Sequence, residues 1–311
     1  MTGQVVDIVI VSFNTSALLR DCLESIREYG GDLVATTTVV DNNSQDGSPE
    51  VVAAEFPWVN LIRNAVNTGF SAANNAGFKT GDAPLILYQN SDAMLTAGAL
   101  EALVDCMSSA GSIVIAGPRL VFPDGTFQRS CRRFPTLWRN LWTFAGGTRR
   151  WPGRFRSWDT WLNEEEHARA SEIDMVSGAC FLARRAYIES LGGMDENLFF
   201  YEEEFDLSLP ARRQGMVVRY SSASTVIHHG GASVSANDMN AFSTLHLFRS
   251  KYYAFRKHYG AWYCHLTHWC DLGLFSFSRL LNYLRNKETP ATLLYRSCRR
   301  GYHASFSSPE R

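Results

Sequence analysis

Hydrophobic and polar positions along the first third of the chain alternate between two periods. The run VVDIVIVSF (residues 5–13) is apolar almost throughout, which predicts a strand covered on both faces. Behind Ser16 as N-cap, ALLRDCLESIREYG (17–30) repeats its apolar positions at helical spacing and ends at a glycine pair. LVATTTVVD (33–41) is the next strand, SPEVVAAEF (48–56) a short helix and WVNLIRN (58–64) a short strand. SAANNAGFKTG (71–81) reads as a helix that stops at Gly81. PLILY (84–88) is a buried strand, a helix follows from about Thr96 to Ser109, and SIVIAG (112–117) is again a strand. This β-α-β-α order predicts an α/β fold, a Rossmann-like, mostly parallel sheet with helices on both faces.

The pattern then changes. Residues 123–172 are rich in Arg, Trp, Gly and Pro and weakly periodic, and they read as a long excursion or loop. Regular structure resumes with DMVSGACFLARR (174–185), a helix near 185–191, and an acidic run before FDLSLPARRQG (205–215). Pro210 in that last segment predicts a helix that starts late or kinks. After His229 the chain is aromatic and helical to its end. Two regions are therefore expected, one of residues 1–236 and a helical, aromatic-rich one of residues 237–311.

Composition narrows the function classes. Of 311 residues, 45% are hydrophobic and 20% charged, as in a globular protein with a core, and the net charge of −1 gives no reason to expect nucleic acid. Eight Arg and no acidic residue lie between Arg129 and Arg156, so the excursion is locally basic. Seven cysteines, widely spaced and without a CxxC pair, predict reduced thiols in a cytoplasmic setting. No basic region or cleavage site precedes the first strand, and no apolar run reaches the ~18–20 residues of a membrane span.

In an open parallel sheet, ligands bind beyond the carboxyl ends of the strands. The polar residues expected there are Ser12 and Asn14, Asp41 to Asn43, Asn64 and Asn67, then Asn90 and Asp92. This set is rich in hydrogen-bonding side chains and poor in Lys and Arg, which suits a nucleoside and a sugar. No GxGxxG follows the first strand and no GxxxxGK[ST] occurs, so a dinucleotide dehydrogenase and a P-loop enzyme are both disfavoured.

Seven segments in order, VDIVIVSFN, VVDNNSQDGS, NTGFSAANNAG, LYQNSDAML, VSGACFLARR, GGMDENLFFYEEEFDLSLPARR and IHHGGAS, resemble family 2 glycosyltransferases of the GT-A fold. The bacterial rhamnosyltransferase-like branch is the nearest look, and the match covers about residues 5–235. The resemblance implies a glycosyltransferase whose DxD-type motif is here NSD. Asp92 would hold a divalent metal, Mg or Mn, and Asn90 replaces the first acid. A hard cation with oxygen ligands suits the charge that builds on a leaving nucleoside diphosphate. His228, or else His229, would complete that site. Asp41 would accept from N3–H of uracil or thymine, with Asn43, Asn67, Gly69 and Asn74 also on the donor side and Gly69 permitting close backbone approach. Ser177, Gly178 and Ala179 would shape the acceptor side.

YEEEFDL carries the candidate acid-base chemistry. Matched to the family's E-D-x-D, Glu203 takes the first acid, Glu204 the base and Asp206 the last. Glu204 is one methylene longer than the usual Asp, so the base could slide to Glu203. An inverting transferase needs one such carboxylate to take the acceptor's proton.

The expectation is thus an inverting, metal-dependent glycosyltransferase using a dTDP- or UDP-linked sugar, with dTDP-L-rhamnose indicated, and a glycan or lipid-diphosphate-linked acceptor in polysaccharide biosynthesis. Arg pairs with phosphate, and Trp and Tyr settle at membrane interfaces. The Arg-rich excursion and the aromatic tail therefore predict a peripheral enzyme on the inner face of the cell membrane, which is anionic. The competing use of the tail helices is packing on the core or a homodimer interface. Rival functions are a nucleotidyltransferase on a related sheet and a non-catalytic glycan-binding or assembly subunit.

Overall fold

The alternating pattern of the first third folds as a strand-helix series. The computed structural model describes residues 5–151, 154–169, 171–230, 241–284 and 291–306. In chain order it begins β1 (Val6–Ser12), α1 (Ser16–Tyr29), β2 (Val34–Asp41), α2 (Ser48–Glu55), β3 (Asn60–Arg63), α3 (Phe70–Phe78), β4 (Leu85–Asn90), β5 (Ala93–Leu95), α4 (Ala99–Ser108) and β6 (Ile113–Val121). There follow β7 (Phe127–Gln128), β8 (Cys131–Arg132), α5 (Leu137–Phe144), α6 (Gly147–Arg150), α7 (Glu164–Arg169), β9 (Glu172–Ile173), β10 (Met175–Val176), β11 (Cys180–Arg184) and α8 (Arg185–Ser190). The chain continues with α9 (Glu203–Arg213), β12 (Val217–His228), α10 (Ala241–Tyr259), α11 (Ala261–Leu284) and α12 (Ala291–Ala304).

The main sheet has the order β3-β2-β1-β4-β11-β6-β12-β5, with β7 on β6 and β9 on β12. β1 runs parallel to β2 and β4, in a register that sets Ser12 beside Asp41 and Val11 beside Asn90. The polar ends of these three strands therefore lie side by side. β11 enters antiparallel between β4 and β6, pairing Cys180 with Gln89, so the loop at its start reaches the same end of the sheet. β12 is parallel to β6 and closes the arrangement by setting His228 opposite Ala93 of β5. The sequence pattern contained no clear sign of β5 or of the antiparallel strand β11.

Alternation along β1 explains why the sheet is covered on both faces. Ile8 and Ile10 pack with Leu19, Leu23, Val39 and Leu103 on one side, and Val9 packs with Ile86, Tyr88 and Phe181 on the other. Each such side chain contributes about 1.5–3 kcal/mol when fully buried. Asp7 is buried in the same strand, but Arg185 Nη2 (2.7 Å), the Ala83 amide (2.8 Å) and Thr36 Oγ1 (2.5 Å) satisfy it. All seven cysteines are free.

The excursion differs from a plain loop: β7, β8, α5, α6 and α7 lie within it. Its partners are distant in sequence, which is why local periodicity missed them. The Leu137 amide donates to Tyr263 Oη (2.6 Å), and Phe144 stacks on Phe248 and meets Phe275 edge-on. A third core joins Phe205 and Leu209 of α9 to Phe248, Tyr252 and Phe255 of α10 and to Phe275 and Cys298. The tail helices thus buttress the helix that carries the acids. That helix starts at Glu203 and continues through Pro210 to Arg213, so it does not start late. The boundary expected at 236/237, and the last three residues of IHHGGAS, lie outside the described residues.

Candidate active site

The ends of β1, β2 and β4 are joined by side-chain hydrogen bonds. Ser12 Oγ lies 3.2 Å from Thr15 Oγ1, which donates to Ser91 Oγ at 2.8 Å. Asn14 has a left-handed φ of 54° and bridges two loops: its amide donates to Ser44 Oγ and its Oδ1 accepts from the Gln45 amide. Asp41 Oδ2 accepts from the Ser44 amide (3.0 Å), whereas its Oδ1 is buried with no hydrogen-bond partner among the described residues. An acceptor held in this way is primed for an N–H donor, because a buried, unmatched oxygen costs about 1–3 kcal/mol.

Several expected donor-side residues hold the loops together. Asn43 is exposed, with φ 68°, and accepts from the Gln45 side chain. Its buried neighbour Asn42 donates to the Gly69 carbonyl (3.0 Å) and accepts from Asn64 and Thr68. Asn67 Oδ1 accepts from the Gly69 amide (3.0 Å). At Gly69 (φ 84°) the close approach comes from the protein itself, since a Cβ there would lie 2.5 Å from the Phe199 carbonyl oxygen. Asn74 is buried and donates to the Phe70 carbonyl of its own helix (3.0 Å).

Asp92 and His228 come together. Asp92 is buried two residues past the end of β4, and its Oδ1 lies 3.3 Å from His228 Nε2. Gln128 Oε1 of β7 lies 2.8 Å from His228 Nδ1, so the ring is anchored at one nitrogen and presents the other to the carboxylate. A carboxylate and an imidazole nitrogen presented together are ligand types that a divalent cation can use. The hydrogen bond to Gln128 is the kind of support that orients a metal-ligating His. His229 contributes its backbone, donating to the Asp92 carbonyl at 3.0 Å. Among the described residues no group of three His, Cys, Asp or Glu side chains forms a metal site. One carboxylate and one imidazole suit a cation whose remaining ligands are water and phosphate oxygens. Gln128 carried no signal in the sequence, being one polar residue in the irregular excursion.

The acid cluster opens α9. Tyr201 (φ 74°) and Glu202 (φ 69°) both hold left-handed backbone, a costly conformation for non-glycine residues that concentrates at functional sites. Glu204 is half-buried, and its Oε1 accepts from the Gly178 amide at 2.7 Å. The next residue, Ala179, accepts at its carbonyl from the Asn90 amide (2.8 Å), and Ser177 is fixed by Ser130 (2.7 Å). Two consecutive residues, Gly178 and Ala179, therefore tie the acid helix to the strand that leads into Asp92. A Cβ on Gly178 would sit 2.7 Å from Glu204 Oε1, so only glycine leaves room for this contact.

Glu203 is buried, its Oε1 has no hydrogen-bond partner among the described residues, and burial together with neighbouring Glu204 pushes its carboxyl well above the ordinary glutamate value of 4.5. Asp206 points away. Its oxygens are taken by His258 Nε2 (2.7 Å) and Lys257 Nζ (2.7 and 2.9 Å), so it fastens α9 to α10.

The family model of Glycosyl transferase family 2 matches residues 7–192, more than half of the chain. The chain belongs to glycosyl transferase family 2. It is therefore a glycosyltransferase, and its sheet is of the GT-A type. Among curated relatives of this family 2 enzyme is the N-acetylglucosaminyl-diphospho-decaprenol L-rhamnosyltransferase of Mycobacterium tuberculosis, 27% identical over 83% of this chain and 86% of that protein. The O-antigen biosynthesis protein RfbC of Myxococcus xanthus is 27% identical over 75% of this chain but only 18% of its own length. In fold, the enzyme resembles the mannosyltransferase PcManGT of Pyrobaculum calidifontis, solved with GDP-Man and Mn2+, at a TM-score of 0.58 and 16% identity over 97% of this chain and 84% of that one. GalNAc-T7, solved with UDP, GalNAc and Mn2+, gives a TM-score of 0.57 at 16% identity over 81% of this chain and 48% of that one.

Proposed function

We propose that this family 2 enzyme is an inverting, metal-dependent glycosyltransferase that moves L-rhamnose from a dTDP- or UDP-linked donor to a hydroxyl of a glycan carried on a lipid diphosphate. The mycobacterial relative is named for both that sugar and that kind of acceptor, and the two fold relatives were solved with nucleotide or nucleotide sugar and Mn2+. One observation carries the reading: Glu204 is hydrogen-bonded to Gly178, whose neighbour Ala179 is hydrogen-bonded to Asn90, two residues before Asp92. A base for the acceptor and an acid for the donor's diphosphate are thereby held in one frame.

Asp41 Oδ1 accepts from N3–H of the uracil or thymine base, which cytosine lacks. Asp92 and His228 would hold Mg or Mn, with the His229 backbone steadying the loop. When bound, that ion offsets the negative charge of the departing nucleoside diphosphate. Glu204 takes the proton from the acceptor hydroxyl as its oxygen forms the new bond to the anomeric carbon and the bond to diphosphate breaks, inverting that carbon. Burial and neighbouring Glu204 both favour the neutral form of Glu203. This assigns the base to Glu204 and leaves Asp206 a positioning role.

Donor binding and catalysis belong to residues 1–236, and residues 237–311 support the acid helix and face the membrane. Trp262 (74% exposed) and Trp269 (69%) project from α11, as expected of a peripheral protein on an anionic cytoplasmic membrane face. Among the described residues no helix is long and apolar enough to cross a membrane. The function is tested by incubating the protein and Mn2+ with a panel of nucleotide sugars and following release of nucleoside diphosphate. Release from dTDP-L-rhamnose or a UDP-sugar is expected. Release of pyrophosphate would indicate a nucleotidyltransferase, and no turnover a binding subunit.

A further inference from the structure

Most of the excursion's arginines are spent. Arg133 pairs with Glu166 at 2.6 Å, Arg156 with Glu165 at 2.5 Å, and Arg139 donates to the Phe134 carbonyl at 2.8 Å. Arg132 is different. It lies on β8, opposite Met175 of β10, and forms an isolated bridge with Trp161. The two arms of the excursion therefore close on this residue, two positions upstream of Ser177 in the paired strand.

The Arg132 side chain is only 17% exposed, yet its Nε is buried with no hydrogen-bond partner among the described residues. Its ion-pair partner, Glu202 Oε1, is 3.8 Å from Nη2, too far for a hydrogen bond. Glu202 has its own buried, unpartnered oxygen, Oε2, and burial pushes its carboxyl above the ordinary value of 4.5 despite Arg132. The guanidinium lies 5.0 Å over the ring of Trp161, whose side chain remains 37% exposed. A buried cation with a distant, weakly charged partner is destabilising unless a third group completes it.

We propose that Arg132, with Glu202 behind it and Trp161 beneath it, is an acceptor subsite that binds a phosphate ester on the anomeric carbon of the acceptor sugar. Arg presents a fork that matches phosphate bidentately, and a phosphate supplies the strong acceptor that Glu202 does not. Trp161 offers an exposed apolar face against which a sugar ring can lie. Glu202 immediately precedes the helix bearing Glu204, so a phosphate drawn to Arg132 is held beside the base. The same chemistry serves a free sugar phosphate or a lipid-linked sugar diphosphate.

This inference rests on the glycosyltransferase reading, and calorimetry separates the two. With UDP or dTDP and Mn2+ saturating, the protein is titrated with N-acetylglucosamine 1-phosphate, farnesyl-diphospho-N-acetylglucosamine and the phosphate-free methyl N-acetylglucosaminide. The parent should bind both phosphorylated sugars, and Arg132→Gln should weaken them about 10- to 100-fold while leaving the neutral glycoside and the nucleotide unchanged. Tighter binding of the farnesyl compound assigns the lipid-linked source, and equal binding the free one. Arg132→Met, without ligand, should melt at the parent's Tm or above it, because it removes an incompletely paired buried charge. A lower Tm in both variants, an equal loss for the neutral glycoside, a loss confined to nucleotide binding, or a parent that binds neither phosphorylated sugar would overturn the proposal. A parent that binds no nucleoside diphosphate would overturn the donor-site reading instead, and the subsite with it.

Discussion

The donor-side loops and the acid-bearing side of the site are built on opposite principles. On the donor side, Ser12, Thr15, Ser91, Asn14, Asn42 and Asn67 bond to one another or to nearby backbone, so the loops are fixed before any ligand arrives. Asp41 Oδ1 is an acceptor left over, and we assign it to the base. On the other side, polar groups are buried and unmatched: Glu203 Oε1, Glu202 Oε2 and Arg132 Nε, next to two left-handed non-glycine residues. The contrast teaches where stability is given up. A satisfied network such as that of Asp7 and Arg185 at the far end of β1 adds to the hold of the fold, whereas buried groups left unmatched cost stability and are where a ligand would have most to gain.

Substitutions can break this comparison, and the largest effect is expected at Asp92. Asp92→Ala should lower turnover about 10³-fold or more, the scale of several kcal/mol of lost charge stabilisation, and remove the gain in nucleoside diphosphate affinity that Mn2+ brings. Equal Mn2+ dependence by calorimetry in variant and parent would move the metal elsewhere. Gly178→Ala comes next. Its Cβ must displace Glu204 Oε1 from 2.7 Å, so transfer should fall about 10- to 100-fold with donor affinity kept, measured as kcat against donor Kd.

Asp41→Ala sharpens the donor side of the contrast. It should weaken UDP or dTDP binding by about 1–3 kcal/mol and leave kcat unchanged at saturating donor. The smallest effect is on stability. Glu203 is raised above 4.5 in the folded protein, so between that value and its folded one the native state binds the extra proton, and stability falls as pH rises. Glu203→Gln removes this loss. Its Tm relative to the parent should climb from pH 5 to pH 8, and a pH-independent difference would mean that the buried carboxyl titrates normally.

The halves of the molecule also differed in how far they could be read from sequence. β1, β2, β4 and β6 announced themselves because doubly covered strands are continuous apolar runs, and their polar ends followed from the parallel order. The acids of α9 were legible as a motif. Less legible was everything fixed by distant partners. Asp206 looks like part of the acid cluster until Lys257 and His258 of α10 are seen to hold it. Gln128 and Arg132 sit in the excursion, whose short strands are defined by pairing with β6 and β10 rather than by any period of their own. Gly69 and Asn74 belong to a segment that resembles the family's donor loop, and their packing against Phe199 and bonding to Phe70 could not be read from it.

The central claim is that Glu204, held by Gly178, is the base of a donor-bound site, and single-turnover transfer by Glu204→Gln tests it most directly. The amide keeps the shape and cannot take a proton. With a sugar-nucleotide substrate and acceptor found by the donor panel, donor Kd should stay within about twofold while the transfer rate falls ~10²- to 10⁴-fold, and Glu203→Gln should retain much more activity. A Glu204→Gln enzyme that keeps more than about a tenth of the parent rate, while Glu203→Gln loses it, would contradict the account and move the base to Glu203.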